Sequence, residues 1–191
     1  MAKLDKRDEI VRAALELIAE NGFHGSPMAM IADRAGVGAG TIYRYFENKD
    51  VMITELFREL EERLNSILLE GYETDKPIRE RFLHVGTASL RYFIGNPLDF
   101  RFLEQFVNSP YGVAHRRDKL LGTKEGCDIF QKLFEDGISQ QVMKDLPLVM
   151  LFDLAFGPLL ALGRDHILGF INLDDALIAR AIEACWDGIR R

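Results

Sequence analysis

The chain has 191 residues, 48% of them hydrophobic, and its 24 Lys and Arg against 30 Asp and Glu leave a formal net charge of -6. That is enough apolar material for one large or two small buried cores, and the acidic balance excludes a nonspecific nucleic-acid coat, which needs a strongly basic surface. The two cysteines, Cys127 and Cys185, lie far apart without metal-ligand spacing, so they read as buried small hydrophobes in a reducing compartment and not as a disulfide.

The charged opening MAKLDKRDE leads into no apolar signal-like stretch, so the expected location is cytoplasmic. A first helix is predicted after Asp5 as N-cap, with Asp8 and Glu9 at its positive end, Ile10, Ala14, Leu17 and Ile18 on its apolar face, and Asn21-Gly22 as its stop. Phe23 is expected to plug the core beside it. Ser26 as N-cap and Pro27 at the first helical position open a second helix that buries Ile31 and Ala32 and ends at Ala35-Gly36. Gly36 allows the positive φ of a sharp turn, and a third helix follows that buries Ile42 and Phe46, four residues apart on one face. Thr41, Tyr43, Arg44 and Tyr45 then point outward. Two short helices hinged at a glycine make a helix-turn-helix pattern over residues 27–46.

A long helix is expected over 49–71, with Ile53, Leu56, Phe57, Leu60, Leu64, Ile67 and Leu68 as one stripe that can serve two domains. The polar break at 73–77 precedes a helix over 77–95 with two apolar faces, stopped by Asn96-Pro97. A shorter helix over 98–108, a long segment over 115–137, and a final pair over 148–169 and 174–189 complete the chain. The run 146–163 is the most apolar, but Asp153 and Pro158 interrupt it and it falls short of a membrane span, so it is predicted to be a buried helix.

The residues IADRAGV and GTIYRYFENK, with KRDEIVRAALELIAENGF before them, resemble the N-terminal domain of the TetR family of bacterial transcriptional regulators (TetR/AcrR-like). RFLEQFVNSPY at 101–111 is similar to a segment of some members' effector domains. The resemblance implies an all-α fold of about nine helices. Residues 1–50 would form a three-helix helix-turn-helix DNA-binding domain, and 51–191 a larger helical domain for effector binding and dimerisation. It further implies that Ala39, Thr41, Tyr43, Arg44 and Tyr45 face double-stranded DNA and that Lys49 binds a phosphate. Family members often carry Ser or Thr and a polar residue where this chain has Gly38 and Ala39, and a Thr pair where it has Pro27 and Met28. Residues 1–50 hold 7 Lys and Arg against 8 Asp and Glu, so the groove-facing cations Lys3, Lys6, Arg7, Arg44 and Lys49 must be segregated by folding.

Eleven of the 13 phenylalanines follow residue 50. Phe82, Ser89, Phe93, Phe102, Gln105, Phe106, Phe130 and Phe134 offer an apolar lining with sparse polar groups, suited to a small apolar effector. Leu148, Leu151, Phe152, Ala155, Leu159 and Leu162, with Leu177, Ile178, Ala181, Ile182, Cys185 and Ile189, are the expected homodimer interface. The four histidines lack ligand spacing, and no nucleophile elbow, P-loop or dinucleotide fingerprint occurs. No metal, cofactor or enzymatic activity is therefore expected. The function predicted is a ligand-responsive repressor that binds a palindromic operator as a homodimer; the rival reading is a helical enzyme or carrier for an apolar molecule.

Overall fold

Proline, glycine and short polar caps set most helix ends. The computed structural model describes residues 5–120 and 129–191, so Lys3 and Cys127 lie outside the described residues. Ten helices are present among them: α1 (Lys6–Asn21), α2 (Met28–Arg34), α3 (Ala39–Tyr45), α4 (Lys49–Leu69), α5 (Ile78–Gly95), α6 (Pro97–Val107), α7 (Pro110–Leu120), α8 (Ile129–Ser139), α9 (Leu148–Ile167) and α10 (Asp175–Ile189). The all-α expectation holds, and the only departure from helix and loop among these residues is an isolated antiparallel bridge between Met143 and Arg190. No described helix is long and apolar enough to cross a membrane.

Asp174 accepts from the Leu177 amide at 2.8 Å, which starts α10. Asn48 does the same for Val51 at 2.9 Å and starts α4. Ser26 does not cap α2 as expected: the helix begins one residue beyond Pro27, and the buried Ser26 hydroxyl donates back to the Gly22 carbonyl at 2.8 Å. Asp5 precedes α1 without a side-chain cap bond. The segment expected over 115–137 is represented by two helices, α7 and α8.

The chain forms two compact units. The first takes its described residues from 5–62 and 98–120, the second from 63–97 and 129–191. The first therefore extends beyond residues 1–50, because α6 and α7 pack on the α1–α2 connection and the first part of α4. Its core is Ile10, Leu17, Ile18, Ile31, Ile42, Phe46, Met52, Phe100 and Phe102, all nearly or fully buried. In the second unit, α5, α9 and α10 pack on one another with α8 beside α5 and α9. The core there gathers Phe82, Val85, Leu133, Phe134, Phe156, Leu159, Ile182 and Trp186. Ile67 departs from the expected α4 stripe and stays exposed.

Candidate DNA-binding surface

Gly36 adopts φ +65°, and a methyl group there would meet nothing within 4 Å, so the turn uses glycine for its backbone angle and not for space. The turn closes with the Val37 amide donating to the Ala32 carbonyl at 3.0 Å, and α3 starts after Gly38. Ile42 and Phe46 are fully buried, which fixes the rotation of α3 about its axis. What remains outward is Ala39, Gly40, Tyr43, Arg44 and Tyr45, with Thr41 half-buried at the edge. Tyr43 is 54% and Tyr45 38% exposed, a large outlay of aromatic surface for a helix of 7 residues.

Pairing sorts the cations. Arg7 donates to Glu55 at 3.3 Å and to Glu59, and its guanidinium lies 5.4 Å from the centre of the Phe46 ring. It therefore ties α1 to α4 instead of facing a groove as expected. Arg34 reaches Glu16 at 3.5 Å and Glu20 at 3.1 Å, and Arg12 binds Glu16 at 3.0 Å. Among the described residues Arg44 makes no ion pair and stands exposed between two exposed tyrosines. Glu16, Glu20, Glu55 and Glu59 are thus taken up by Arg7, Arg12 and Arg34. A flexible, unpaired guanidinium with five donors suits a guanine edge or phosphate, and tyrosine rings beside it supply both contact area and a hydroxyl.

Lys49 differs from its expected role. It opens α4 half-buried, and its ammonium donates to the Phe23 carbonyl. Burial holds its pKa below the ordinary lysine range, opposed in part by Asp50. Lys49 fastens the start of α4 to the α1–α2 connection.

Residues 10–56 match the model for bacterial regulatory proteins of the tetR family, and residues 77–190 match the tetracyclin repressor-like C-terminal domain. The chain belongs to the tetR family. As a tetR-family protein it is a DNA-binding transcriptional regulator with a helix-turn-helix. It is similar to a TetR-family transcriptional regulator of Vibrio parahaemolyticus, with 35% identity, a TM-score of 0.75, and coverage of 98% of this chain and 99% of that one. Over 57 residues, 30% of this chain and 29% of the relative, it is 51% identical to a fatty acid metabolism regulator protein of Bacillus subtilis, so that match spans under a third of the relative's length. The transcriptional regulator FadR of Bacillus subtilis, solved in complex with stearoyl-CoA, shares the fold at 23% identity and a TM-score of 0.74, over 96% of this chain and 99% of that one.

The eight residues expected to line an effector cavity separate in this tetR-family chain. Phe102, Gln105 and Phe106 belong to the first unit. Phe102 meets Phe23 edge-on at 5.9 Å, Phe106 stacks on Phe57 at 3.7 Å, and Gln105 lies against Gly22. Phe82, Ser89, Phe93, Phe130 and Phe134 belong to the second. There Phe82 packs on Phe156 and Trp186 at 5.7 and 5.5 Å, Phe130 on Phe156 at 4.8 Å, and Phe134 on Phe156 at 6.0 Å. Ser89 stands out, because its buried hydroxyl has no hydrogen-bond partner among the described residues, and such a group costs free energy unless something satisfies it.

The expected dimer residues need a correction. Leu151, Ala155, Leu159, Ile178, Ile182, Cys185 and Ile189 are buried in the second unit's own core, which leaves them nothing to offer a partner, and burial raises the Cys185 thiol pKa. Leu148, Leu162, Leu177 and Ala181 pack half-buried against that core, and of the expected residues on α9 only Phe152 is exposed. The apolar surface of α9 lies instead along Met150, Leu154, Pro158 and Ala161, spaced three or four apart on one face. Sequence periodicity missed this face because α9 is apolar on nearly every side.

Proposed function

We propose that the protein is a cytoplasmic, effector-controlled repressor that binds a palindromic operator as a homodimer. The observation that carries the DNA-binding half is Arg44, unpaired among the described residues and exposed between Tyr43 and Tyr45 on a helix whose other face is locked by Ile42 and Phe46. Purified protein should select a palindromic duplex from sheared genomic DNA. Failure to enrich any sequence over input would overturn the reading.

The homodimer reading rests on α9, which exposes Met150 at 48% and Leu154 at 44%, and on α10, where Ala176, Arg180 and Ala184 are exposed. An apolar stripe of that kind on a regulator that reads palindromes fits a second copy of the chain. Leu154→Glu would place an unpaired charge in the interface, and sedimentation should show monomer where the wild type is dimer. A dimer that survives the substitution would refute this face.

For the effector, the reading is a small apolar molecule taken up by the second unit through rearrangement of the rings of Phe82, Phe93, Phe130 and Phe134, with a polar group reaching the Ser89 hydroxyl. Support comes from the unpaired hydroxyl and from the shared fold of a regulator seen with stearoyl-CoA. Trp186, the single tryptophan, lies 5.5 Å from Phe82 and serves as the reporter. Long-chain acyl-CoA should change its fluorescence and release the selected duplex, and the duplex must reciprocally weaken the ligand. Neither response to acyl-CoA would sink that ligand class.

A further inference from the structure

We propose that Tyr111, in α7 and outside the matched helix-turn-helix segment, is a positioning residue for operator recognition: its hydroxyl and ring hold the start of α4, and thereby the end of α3, in DNA-reading register. The proposal rests on the assignment of α3 as the recognition helix.

The contacts form a closed circuit within the first unit. The Tyr111 ring meets Phe23 edge-on at 5.8 Å, and Phe23 in turn meets Phe102 of α6. The backbone carbonyl of that same Phe23 accepts the Lys49 ammonium. Asp50, the next residue along α4, accepts from the Tyr111 hydroxyl. The first two residues of α4 are therefore tied from two directions, one tie ending on the α1–α2 connection and the other on α7. Only residues 46–48 separate α3 from α4, and Phe46 is fully buried among them, so displacement of the first turn of α4 cannot be absorbed by slack before it reaches Tyr45 and Arg44.

Tyr111 is itself firmly placed. Ser109, buried, donates to the Phe106 carbonyl at 2.6 Å and accepts from the Gly112 amide at 3.3 Å. A methyl on Gly112 would fall 2.2 Å from the Phe106 carbonyl oxygen and 2.7 Å from the Val107 Cα, so α7 starts hard against the end of α6 with no room to slide. Pro110 occupies the first position of α7, where its missing donor costs nothing. The bond to Asp50, with burial, holds the phenol pKa above its ordinary range. This accounts for the segment 101–111, whose aromatic and small residues build a platform under the α1–α2 connection and the root of α4.

A merely structural tyrosine would affect folding without choosing among DNA sequences. The test uses the full chain and the duplex that wild type selects from a randomised library, beside a scrambled duplex of equal length. Tyr111→Phe keeps the ring contact with Phe23 and removes the hydroxyl, so the protein should fold. Affinity for the selected duplex should fall about three- to tenfold, the effect of one hydrogen bond, while affinity for the scrambled duplex, carried by phosphate contacts, stays the same. Asp50→Ala should do the same, and the double variant should lose no more than the worse single one. An unchanged ratio of selected to scrambled affinity in Tyr111→Phe, or additive losses in the double variant, would overturn the proposal. Wild type that selects no duplex would overturn the recognition-helix assignment itself, and the proposal with it.

Discussion

Two arginines, Arg44 on α3 and Arg81 on α5, show how one residue type serves two ends. Both have tyrosine neighbours, yet Arg81 has a side chain only 3% exposed, with its Nε on the Tyr72 hydroxyl at 2.9 Å and a terminal nitrogen on Asp136 at 2.9 Å. Arg44 is exposed and makes no ion pair among the described residues. A guanidinium whose donors are satisfied inside the fold belongs to the architecture. One that a well-packed helix holds outward, with its donors still available, belongs to a partner.

The largest expected effect breaks the inward case. Asp136→Ala strands the buried Arg81 charge and should cost about 3 kcal/mol of stability, the lower end for a broken buried pair because Asp136 is partly exposed. Denaturant unfolding measures it. The same pair has a pH signature: hydrogen bonds from Lys132, and then Arg81, hold the Asp136 pKa below its ordinary value. The unfolded chain therefore binds the proton more tightly. The stabilisation is complete above the ordinary carboxylate range, about pH 4, and is lost as pH falls through the lower folded value. The gap between wild type and Asp136→Ala should narrow in acid, and a gap independent of pH would mean that Asp136 acts by packing alone.

The outward case should respond in the opposite assay. Arg44→Ala should leave unfolding unchanged and weaken the selected duplex by about 1–3 kcal/mol, with preference relaxed at one base pair in each half-site. If Arg44→Ala instead destabilises the fold while binding survives, the division between the two arginines fails.

Much of this was legible because local chemistry marks local events. Gly36 and Asn96-Pro97 announce a turn and a helix stop within a few residues of where they act, and Ile42 with Phe46 fixes the outward set of α3 by spacing alone. The misread parts depend on distant partners. Phe102 and Phe106 carry no sign of whether they will meet an effector or Phe23 and Phe57, since a phenyl ring packs against either. On α9 nearly every side is apolar, so periodicity could not separate Leu151 and Ala155, which face the core, from Met150 and Leu154, which do not. Lys49 and Arg7 read as free cations because the carbonyl and carboxylates that engage them come from other helices.

The smallest effect bears on what else the outward face of α3 requires. Gly40 lies within α3 without positive φ, and a methyl group added to it would meet nothing within 4 Å. Nothing in the fold calls for glycine there, and glycine inside a helix costs roughly 0.5–1 kcal/mol relative to alanine. Gly40→Ala should therefore raise stability by about that amount, partly by restricting the unfolded chain. Its neighbours Ala39 and Thr41 belong to the expected DNA-facing set, and a new methyl group between a closely docked helix and the duplex should weaken the selected site by about 1 kcal/mol, as overpacking does elsewhere. Gains in melting temperature paired with losses in affinity would show that the missing Cβ serves the approach of DNA. A stabilised variant that binds the selected duplex as wild type does would place Gly40 outside the contact surface and shift the reading edge of α3 toward Tyr43 and Arg44.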